Sequence, residues 1–234
     1  MDFAKHEWLF SASRINRYLI AVGGNPNKAL ELYKYNIQIA QTLHPLISIL
    51  EVALRNGIDR ALNKHFHDAN WLITQRGQFA HPKMVYKSSR GHVLPDRFFI
   101  EKLKKADGKL SSRGIPLTHG KLLAELTFGF WIKFFDSNSI KILKGAPLQA
   151  FRHKPKCKLA DVHSHLNSIV TLRNRIAHNE PICFNAKGLL CLITIETHEK
   201  NIMDALGWID QDLQIWSGEM NIFRPVFNRI CSNL

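Results

Sequence analysis

The sequence predicts an all-α fold, a bundle of antiparallel helices joined by short connections. Apolar residues recur at steps of three and four positions along most of the chain, which is the spacing of one helical face. Runs that alternate apolar and polar residues between turns, as strands do, are scarce. Of the 234 residues, 45% are hydrophobic, including 14 Phe and 5 Trp. That composition is sufficient for a hydrophobic core and argues against a disordered chain.

Helical signals are clearest in the first third of the chain. Ser11 or Ser13 can cap a first helix that runs to Val22, where two glycines end it. An apolar stripe at helical spacing then extends over residues 29–62. Pro45 interrupts this stripe, and a proline inside a helix removes a hydrogen bond and clashes with the preceding turn. We therefore expect either two helices or one kinked helix here.

The middle of the chain is less regular. Residues 68–95 show no sustained period, 95–106 resemble a short basic helix, and 108–116 have the composition of a loop. Thr118 can cap the next helix, which is apolar nearly all round and is therefore expected to be the most buried one. We interpret residues 68–116, roughly, as a basic insertion.

The last third of the chain is again helical in pattern. Further helices are expected at residues 158–177, 188–206, 208–216 and 222–230. Pro181 stops the first of these helices. Residues 193–195 taken alone also fit a strand. Because the helical pattern is continuous, it favours a single domain over residues 1–234.

The chain is strongly basic, with 32 Lys and Arg against 19 Asp and Glu and a formal charge of +13. This excess favours a polyanionic partner, either nucleic acid or an anionic membrane, although it also serves solubility alone. Residues 81–121 hold 10 of the Lys and Arg against 3 acids, whereas residues 181–234 are mildly acidic. Tyr86, Phe98 and Phe99 lie among these cations, where they can stack on bases or anchor a basic helix to the core.

The composition also bears on compartment and cofactors. The longest apolar runs, such as 47–54 and 188–195, are far shorter than the roughly 18 residues that a spanning helix needs. The N-terminus lacks the basic-then-apolar order of a signal peptide. The four cysteines form no CxxC pair and no zinc-finger spacing. We therefore expect a cytoplasmic protein with no membrane partner, no metal and no other cofactor.

The most informative segment is residues 172–181, LRNRIAHNEP, at the end of the helix expected over 158–177. Arg173 occupies a position that the apolar stripe of this helix would give to an aliphatic residue, so it needs a carboxylate, a cleft or a partner. Asn174 and His178 are four residues apart and share a helical face. Histidine ionises near neutral pH, so His178 can act as a general acid or base.

An arginine beside such a histidine can hold a phosphate and stabilise the charge of a transition state. Together the two groups can cut RNA without a metal, with the ribose 2′-hydroxyl as the internal nucleophile, which DNA lacks. The same residue types are also common in the last turn of a helix, where they serve only to end it. Spacing alone therefore leaves both interpretations open.

Three segments in order resemble the signature segments of the Abi-like bacterial proteins (abortive infection, AbiD/AbiF type). They are residues 50–56 (LEVALRN), 124–131 (AELTFGFW) and 172–181. The last segment also resembles the Arg-polar-x-x-x-His motif of the HEPN superfamily, and the similarity extends from about Arg14 to Trp216. The resemblance implies a HEPN-like antiparallel helical bundle with additional helices. It also implies a metal-independent endoribonuclease of the abortive-infection or toxin type, used in phage defence.

The resemblance further implies roles for residues and partners. Arg173 and His178 match the motif arginine and histidine, and Asn174 matches the polar residue after the arginine. Two protomers of HEPN ribonucleases usually bring their motifs together, so the resemblance implies a homodimer with a composite active site. A dimer interface would also explain the unusual position of Arg173. Finally, an antitoxin, either a small structured RNA or a protein, can hold such proteins in check.

Several other basic residues are expected to bind the phosphates of RNA, with steep salt dependence and little sequence preference. They are Arg55, Lys102, Lys104, Lys105, Lys154, Lys156 and Arg175. Glu51 lies four residues before Arg55, so the two form a local ion pair, or Glu51 orients Arg55 toward RNA. Glu125 is the one acid in an apolar helix, and a buried carboxylate needs a cation, so we expect it to partner one of these arginines.

Two alternatives to a nuclease stay open from the sequence. One is a non-catalytic RNA-binding HEPN scaffold or regulator of another protein. The other is a DNA-binding protein, which no recognition-helix motif supports.

Overall fold

The fold is all-α, as the sequence predicts. The computed structural model describes residues 2–81, 83–87 and 89–233, with the backbone alone at Gln78, Ala80, Lys87 and Asn233. Over these residues the helices are α1 (Phe3–Phe10), α2 (Ala12–Ala21), α3 (Pro26–Phe66), α4 (Trp71–Thr74), α5 (Phe98–Ser112), α6 (His119–Glu125), α7 (Phe128–Ile132), α8 (Ser137–Ile142), α9 (Leu159–Ala177), α10 (Leu192–Ile209), α11 (Gln211–Glu219) and α12 (Phe223–Asn233). A hairpin pairs β1 (Val85–Lys87) with β2 (Val93–Pro95) in antiparallel register.

The chain divides into two compact units. The terminal unit contains the chain up to residue 50, residues 171–206 and the chain from residue 212. The middle unit contains residues 51–170 and 207–211. The chain therefore passes between the units four times, within α3, within α9, within α10 and at the start of α11. The expectation of a single domain over residues 1–234 stays a prediction.

The first helices of the terminal unit follow the local sequence signals. Asp2 caps α1, because its carboxylate accepts a hydrogen bond from the backbone N–H of Lys5 at 2.8 Å. The sequence prediction did not include this helix. Ser11 holds the N-cap position of α2, although its side chain makes no capping hydrogen bond. Gly23 and Gly24 follow the helix with φ of 66° and 82°, which confirms the expected stop.

Pro45 lies inside α3, which is one helix of 41 residues rather than two. Proline removes the hydrogen bond to the carbonyl of Gln41, and Gln41 is exposed, so water can satisfy that carbonyl. In the next turn, the Ser48 hydroxyl donates to the carbonyl of His44 at 3.0 Å. Buried Leu43, Leu46 and Ile47 then keep this stretch of the helix packed in its unit.

Helix α3 is also long and apolar enough to cross a membrane by length and composition. An 18-residue window of it has a mean hydropathy of 1.3, and 39% of that window is buried inside the protein. The core helix of a soluble protein passes the same test. The expected absence of a membrane partner therefore stays a prediction.

The core of the middle unit is a cluster of aromatic rings. Trp71, Phe99, Phe130, Trp131 and Phe134 are all buried, and the shortest ring-centroid distance among them is 4.6 Å, between Phe99 and Phe134. Most of these rings meet edge-to-face, the arrangement that the quadrupoles of aromatic rings favour. The burial expected for the helix after Thr118 is therefore confirmed, but its residues form α6 and α7 with a break at Leu126 rather than one helix.

The structure corrects two boundaries in the middle unit. Helix α5 runs to Ser112, so the loop expected over residues 108–116 is wrong for its first half. The reason is that Leu110 continues the buried stripe of α5, and Gly114, with φ of 64°, then ends the helix. Thr118 does cap α6 by accepting from the N–H of Lys121 at 3.3 Å. That helix stops at Leu126, whose extended backbone separates it from α7.

The structure also corrects the expectations for segments in which the sequence pattern is weak. The hairpin β1–β2 lies in the region where no period was visible. Helix α10 begins at Leu192, so residues 193–195 are helical and the strand alternative is wrong. In front of it, an isolated antiparallel bridge joins Phe184 to Leu190.

Candidate functional site

The C-terminus of α9 carries the Arg-Asn-x-x-x-His segment and ends in a tight left-handed turn. Asn179 has φ of 55°, and its N–H donates to the carbonyl of Ile176 at 3.0 Å. The N–H of Glu180 reaches back to the carbonyl of Arg175 at 2.8 Å. These two hydrogen bonds make a Schellman motif, in which asparagine can replace the usual glycine. His178 is consequently the last residue before the chain turns away from the helix.

The three residues expected to be catalytic all lie in the terminal unit. Asn174 and His178 are exposed, and Arg173 is half-buried rather than enclosed. At 3.6 residues per turn, four positions bring Asn174 and His178 to nearly one direction, whereas the five positions from Arg173 to His178 turn the direction by about 140°. The arginine and the histidine of one chain therefore leave the helix on different sides.

Arg175 holds the turn that follows the helix. Its guanidinium donates to the carbonyl of Pro181 and lies 3.8 Å from the Glu180 carboxylate. The positions of Arg175 and Glu180 usually hold an apolar contact in a Schellman motif, which is replaced here by an ion pair. The expectation that Arg175 binds RNA stays a prediction, but the structure gives it a structural contact as well.

His198 of α10 is a residue of this region that the sequence reasoning missed. Burial, together with the nearby positive charge of Arg175, lowers the pKa of His198 to about 4. Its Nε2 is buried without a hydrogen-bond partner among the described residues. The imidazole is therefore neutral at physiological pH. The available signal was its position between buried Ile195 and Ile202, where the apolar stripe of α10 would place an aliphatic side chain.

A cleft of about 620 Å³ lies beside the α9 turn. Ile176 and Asn179 contribute to it from α9 and its turn, and Phe10, Arg14, Tyr33 and Asn36 line it from α1, α2 and α3. Arg14 fixes one wall, because its Nη1 donates to the carbonyl of Asn179 at 2.7 Å. The two residues are 165 positions apart, so this contact ties α2 to the end of α9.

The lysines expected to bind RNA belong to the middle unit and are exposed. Lys102 and Lys105 lie together on α5 in a small cleft beside Lys109, whereas Lys104 borders a different cleft. Lys154 and Lys156 lie in the segment before α9. Lys104 therefore does not share the cleft that Lys102 and Lys105 line.

The aromatic residues among these cations have different surroundings. Phe99 is buried in the aromatic core, which fits the interpretation as an anchor of the basic helix. Phe98 is half-buried, with the Lys102 and Lys133 ammonium groups 5.5 Å and 5.8 Å from its ring centroid. Tyr86, on β1, is half exposed.

The two glutamates expected to support the site also lie in the middle unit. Glu125 pairs with Lys109 at 3.1 Å and with Arg113 at 2.5 Å, so its cationic partners are not the arginines that the sequence suggested. Hydrogen bonds from Arg113 and Lys109 hold the pKa of Glu125 below its ordinary value. Glu51 and Arg55 are both half-buried, and Arg55 Nε lies 3.5 Å from the Asn56 amide oxygen.

Among the described residues, no cluster of three or more His, Cys, Asp or Glu side chains could hold a metal ion. Cys157 and Cys231 are exposed, Cys191 is half-buried, and Cys183 is buried.

A family model described as Abi-like protein matches residues 5–183. The chain belongs to the Abi-like protein family. The match begins in α1 and includes the whole of α9 with its Arg-Asn-x-x-x-His segment and the following turn. Helices α10 to α12 lie beyond the matched range of this Abi-like chain. No curated protein and no solved structure matches it significantly. Membership of the family indicates an abortive-infection-related function.

Proposed function

We propose that this Abi-like protein is a metal-independent endoribonuclease of HEPN type, acting in phage defence by abortive infection. The observation that carries the proposal is the end of α9, where Arg173, Asn174 and an exposed His178 precede a hydrogen-bonded left-handed turn in a chain of this family. An exposed histidine at a fixed helix end is accessible to a polymeric substrate.

The chemistry needs only the RNA itself and these side chains. His178 accepts the proton of the ribose 2′-hydroxyl as that oxygen attacks the adjacent phosphorus. The bond from phosphorus to the 5′-oxygen breaks, and the departing oxygen takes up a proton from water, which leaves a 2′,3′-cyclic phosphate and a 5′-hydroxyl. His178 then returns the proton it accepted to the solvent. Arg173 binds the phosphate and stabilises its added negative charge. Asn174 orients His178 or the phosphate by hydrogen bonding.

The proposal includes a homodimer with a composite site. In one chain, Arg173 and His178 diverge by about 140° around α9, so a single phosphate is poorly placed to contact both. In a twofold dimer, the arginine of one protomer can face the histidine of the other. Half-burial of Arg173 is consistent with a position that a second protomer covers.

The remaining parts of the proposal concern binding, partners and compartment. Arg55, Arg175 and the lysines at 102, 104, 105, 154 and 156 bind RNA phosphates. Each phosphate contact to a single strand then adds about −0.7 to the slope of log affinity against log salt. An antitoxin, either a small structured RNA or a protein, silences the enzyme, and the protein acts in the cytoplasm.

The test is RNA cleavage by the purified protein, measured with a chelator present. We expect cleavage by the wild type and none by His178→Ala. His153→Ala is the matched control, because His153 is also exposed and lies in the other unit. Expression of the wild type should arrest growth, and expression of His178→Ala should not. RNA binding with equal background cleavage by all three proteins would favour the non-catalytic scaffold instead.

The composite site has its own test. Arg173→Ala and His178→Ala are each expected to be inactive. A mixture of the two contains mixed dimers in which one protomer supplies the arginine and the other the histidine, so cleavage should reappear. A monomer by light scattering, or a mixture that stays inactive, would contradict the composite site.

A further inference from the structure

The cleft beside the α9 turn, described above, presents two aromatic rings. The centroids of Phe10 and Tyr33 are 5.4 Å apart, and their planes are inclined by 47°, so neither ring covers the face of the other. Buried Tyr18 packs edge-on against Tyr33 at 5.2 Å and holds that ring in place. Supported and partly open aromatic rings of this kind are suited to stacking on a flat ring of a ligand.

Asn36 adds a fixed polar group to the same cleft. It is only 6% exposed, and its Oδ1 accepts hydrogen bonds from the N–H of Ile182 at 2.8 Å and of Cys183 at 3.3 Å. These two bonds determine the orientation of the amide. Its Nδ2 is therefore the end that meets a ligand in the cleft, and it can only donate.

The charges of the cleft favour a neutral ligand over a phosphate. Arg14 is committed to the carbonyl of Asn179, and the carboxylate of Glu180 also lines the cleft. A volume of about 620 Å³ lies within the range of small-ligand sites, roughly 300–1,000 Å³. The combination of aromatic rings, one fixed donor and balanced charge matches a nucleobase.

We propose that this cleft binds one unstacked nucleobase of the RNA, next to the phosphate on which His178 acts. The inference rests on the proposed function for RNA as the ligand. Asn179, which lines the cleft, directly follows His178 in the turn that ends α9, whereas Ile176 lines the cleft from a position about 160° around the helix from His178. Tyr33 stacks on the base, and Asn36 Nδ2 donates to an acceptor on its edge. Cleavage then depends on the base beside the cut, whereas phosphate contacts alone give little sequence preference.

The first experiment measures base binding without cleavage. Full-length His178→Ala protein is titrated with short single-stranded RNAs in which one 2-aminopurine is moved along the strand. We expect fluorescence quenching at one position. Adding Tyr33→Leu, which keeps apolar volume but removes the ring, should remove the quenching and weaken binding about 5- to 100-fold. Tyr35→Leu is the matched control, because Tyr35 lies on the same helix but outside the cleft lining.

The second experiment maps cut sites in a pool of random RNA. The wild type should enrich one or two bases beside the cut. Asn36→Asp keeps an oxygen for the two backbone N–H groups but replaces the donor by an acceptor, so the enrichment should shift to bases that present a donor. An even base composition beside the cut, or a preference unchanged in Asn36→Asp, would overturn the inference.

The outcomes separate this inference from the proposed function. Cleavage without base preference, with quenching unaffected by Tyr33→Leu, overturns the base site and leaves the nuclease standing. Quenching that depends on Tyr33 in a protein that never cleaves RNA supports the base site and removes the nuclease. Loss of the dimer in Tyr33→Leu with unchanged quenching identifies the cleft as a protein interface and overturns the inference.

Discussion

Asn179 offers a direct test of the turn that ends α9, because its backbone is left-handed at φ of 55°. Its side chain is exposed, and the hydrogen bond from Arg14 goes to its backbone carbonyl, which every substitution retains. Replacing Asn179 by Ala or by Gly therefore changes the backbone preference and removes almost no packing. The comparison of these two variants isolates the conformation of the turn.

The expected magnitude follows from the cost of left-handed backbone. A residue with a Cβ occupies this region at a cost of about 1–2 kcal/mol, and asparagine bears less of it than alanine. Asn179→Ala should therefore lower the free energy of unfolding by about 1 kcal/mol. Asn179→Gly should lie within about 0.5 kcal/mol of the wild type, since glycine has no such cost but is more flexible when unfolded.

Urea unfolding followed by circular dichroism measures both variants. With a slope of about 2 kcal/mol per M, the Ala variant should unfold at a urea concentration about 0.5 M lower. Asn16, which is exposed within α2, is the matched control, because in a right-handed helix the expected order of stability of the Ala and Gly variants is reversed. There, Ala should be more stable than Gly by about 1 kcal/mol. If Ala is as stable as Gly at position 179, the left-handed turn and its placement of His178 are refuted.

Three sites elsewhere in the chain give further expectations. Burial raises the pKa of Asp136, but hydrogen bonds, first from Lys133, outweigh this and hold it below its ordinary value. The stabilisation is then present above the unfolded pKa of about 3.9 and is lost as pH falls through the folded pKa. Asp136→Asn should therefore cost about 2 kcal/mol at pH 7 and progressively less as pH falls below about 3.9, measured by urea unfolding. Gly57→Ala should lower the melting temperature, because its Cβ would lie 3.2 Å from the Cβ of Ala150, and overpacking costs about 1–3 kcal/mol. Burial raises the pKa of Cys183 to about 12, so its thiol should resist maleimide at pH 8, as seen by mass spectrometry.

Each of these expectations has a control within the chain. Asp136→Ala also removes the cap that Asp136 provides to α8 and should cost about 1 kcal/mol more than the Asn variant at every pH. Gly108→Ala, in α5 with nothing within 4 Å, should raise stability instead. Cys157 is exposed and should react with maleimide in the folded protein. A pH-independent Asp136→Asn effect, a stabilised Gly57→Ala or rapid labelling of Cys183 would contradict the respective contact.

The sequence predicts the helices best where the signal is local. The stripe of α9 and the stop before Pro181 are visible within a few residues, and the cap of α6 at Thr118 requires only the next three positions. The break at Leu126 is not visible, because its extended backbone lies inside an unbroken apolar run and is set by packing in the aromatic core. The end of α5 was misplaced for a similar reason, since Gly108 suggested a loop but is tolerated on an exposed helical face.

The candidate site also has one part that the sequence predicts and another that it does not. The motif residues of α9 are contiguous, so the sequence alone points to them. The residues that line the adjoining cleft are not contiguous, because Arg14 contacts Asn179 and Asn36 contacts Ile182 across more than a hundred positions. Periodicity carries no information about contacts at that range, and a single sequence offers no other source for them. The pairing of Glu125 with Lys109 and Arg113 spans only 16 and 12 positions, but it joins two helices, and the periodicity of each helix does not indicate how the two pack together.

The residues at the C-terminal end of α9 have two different kinds of surroundings. Arg175 is engaged with the carbonyl of Pro181 and with Glu180, beside a histidine that burial keeps neutral. Asn174 and His178 face solvent on the neighbouring side of the helix end. Because the contacts of Arg175 hold the turn that follows His178, replacing Arg175 should displace His178 as well as remove a phosphate contact. The proposed reaction therefore assigns the scissile phosphate to Arg173, and it assigns to Arg175 the turn that places His178 in addition to RNA binding.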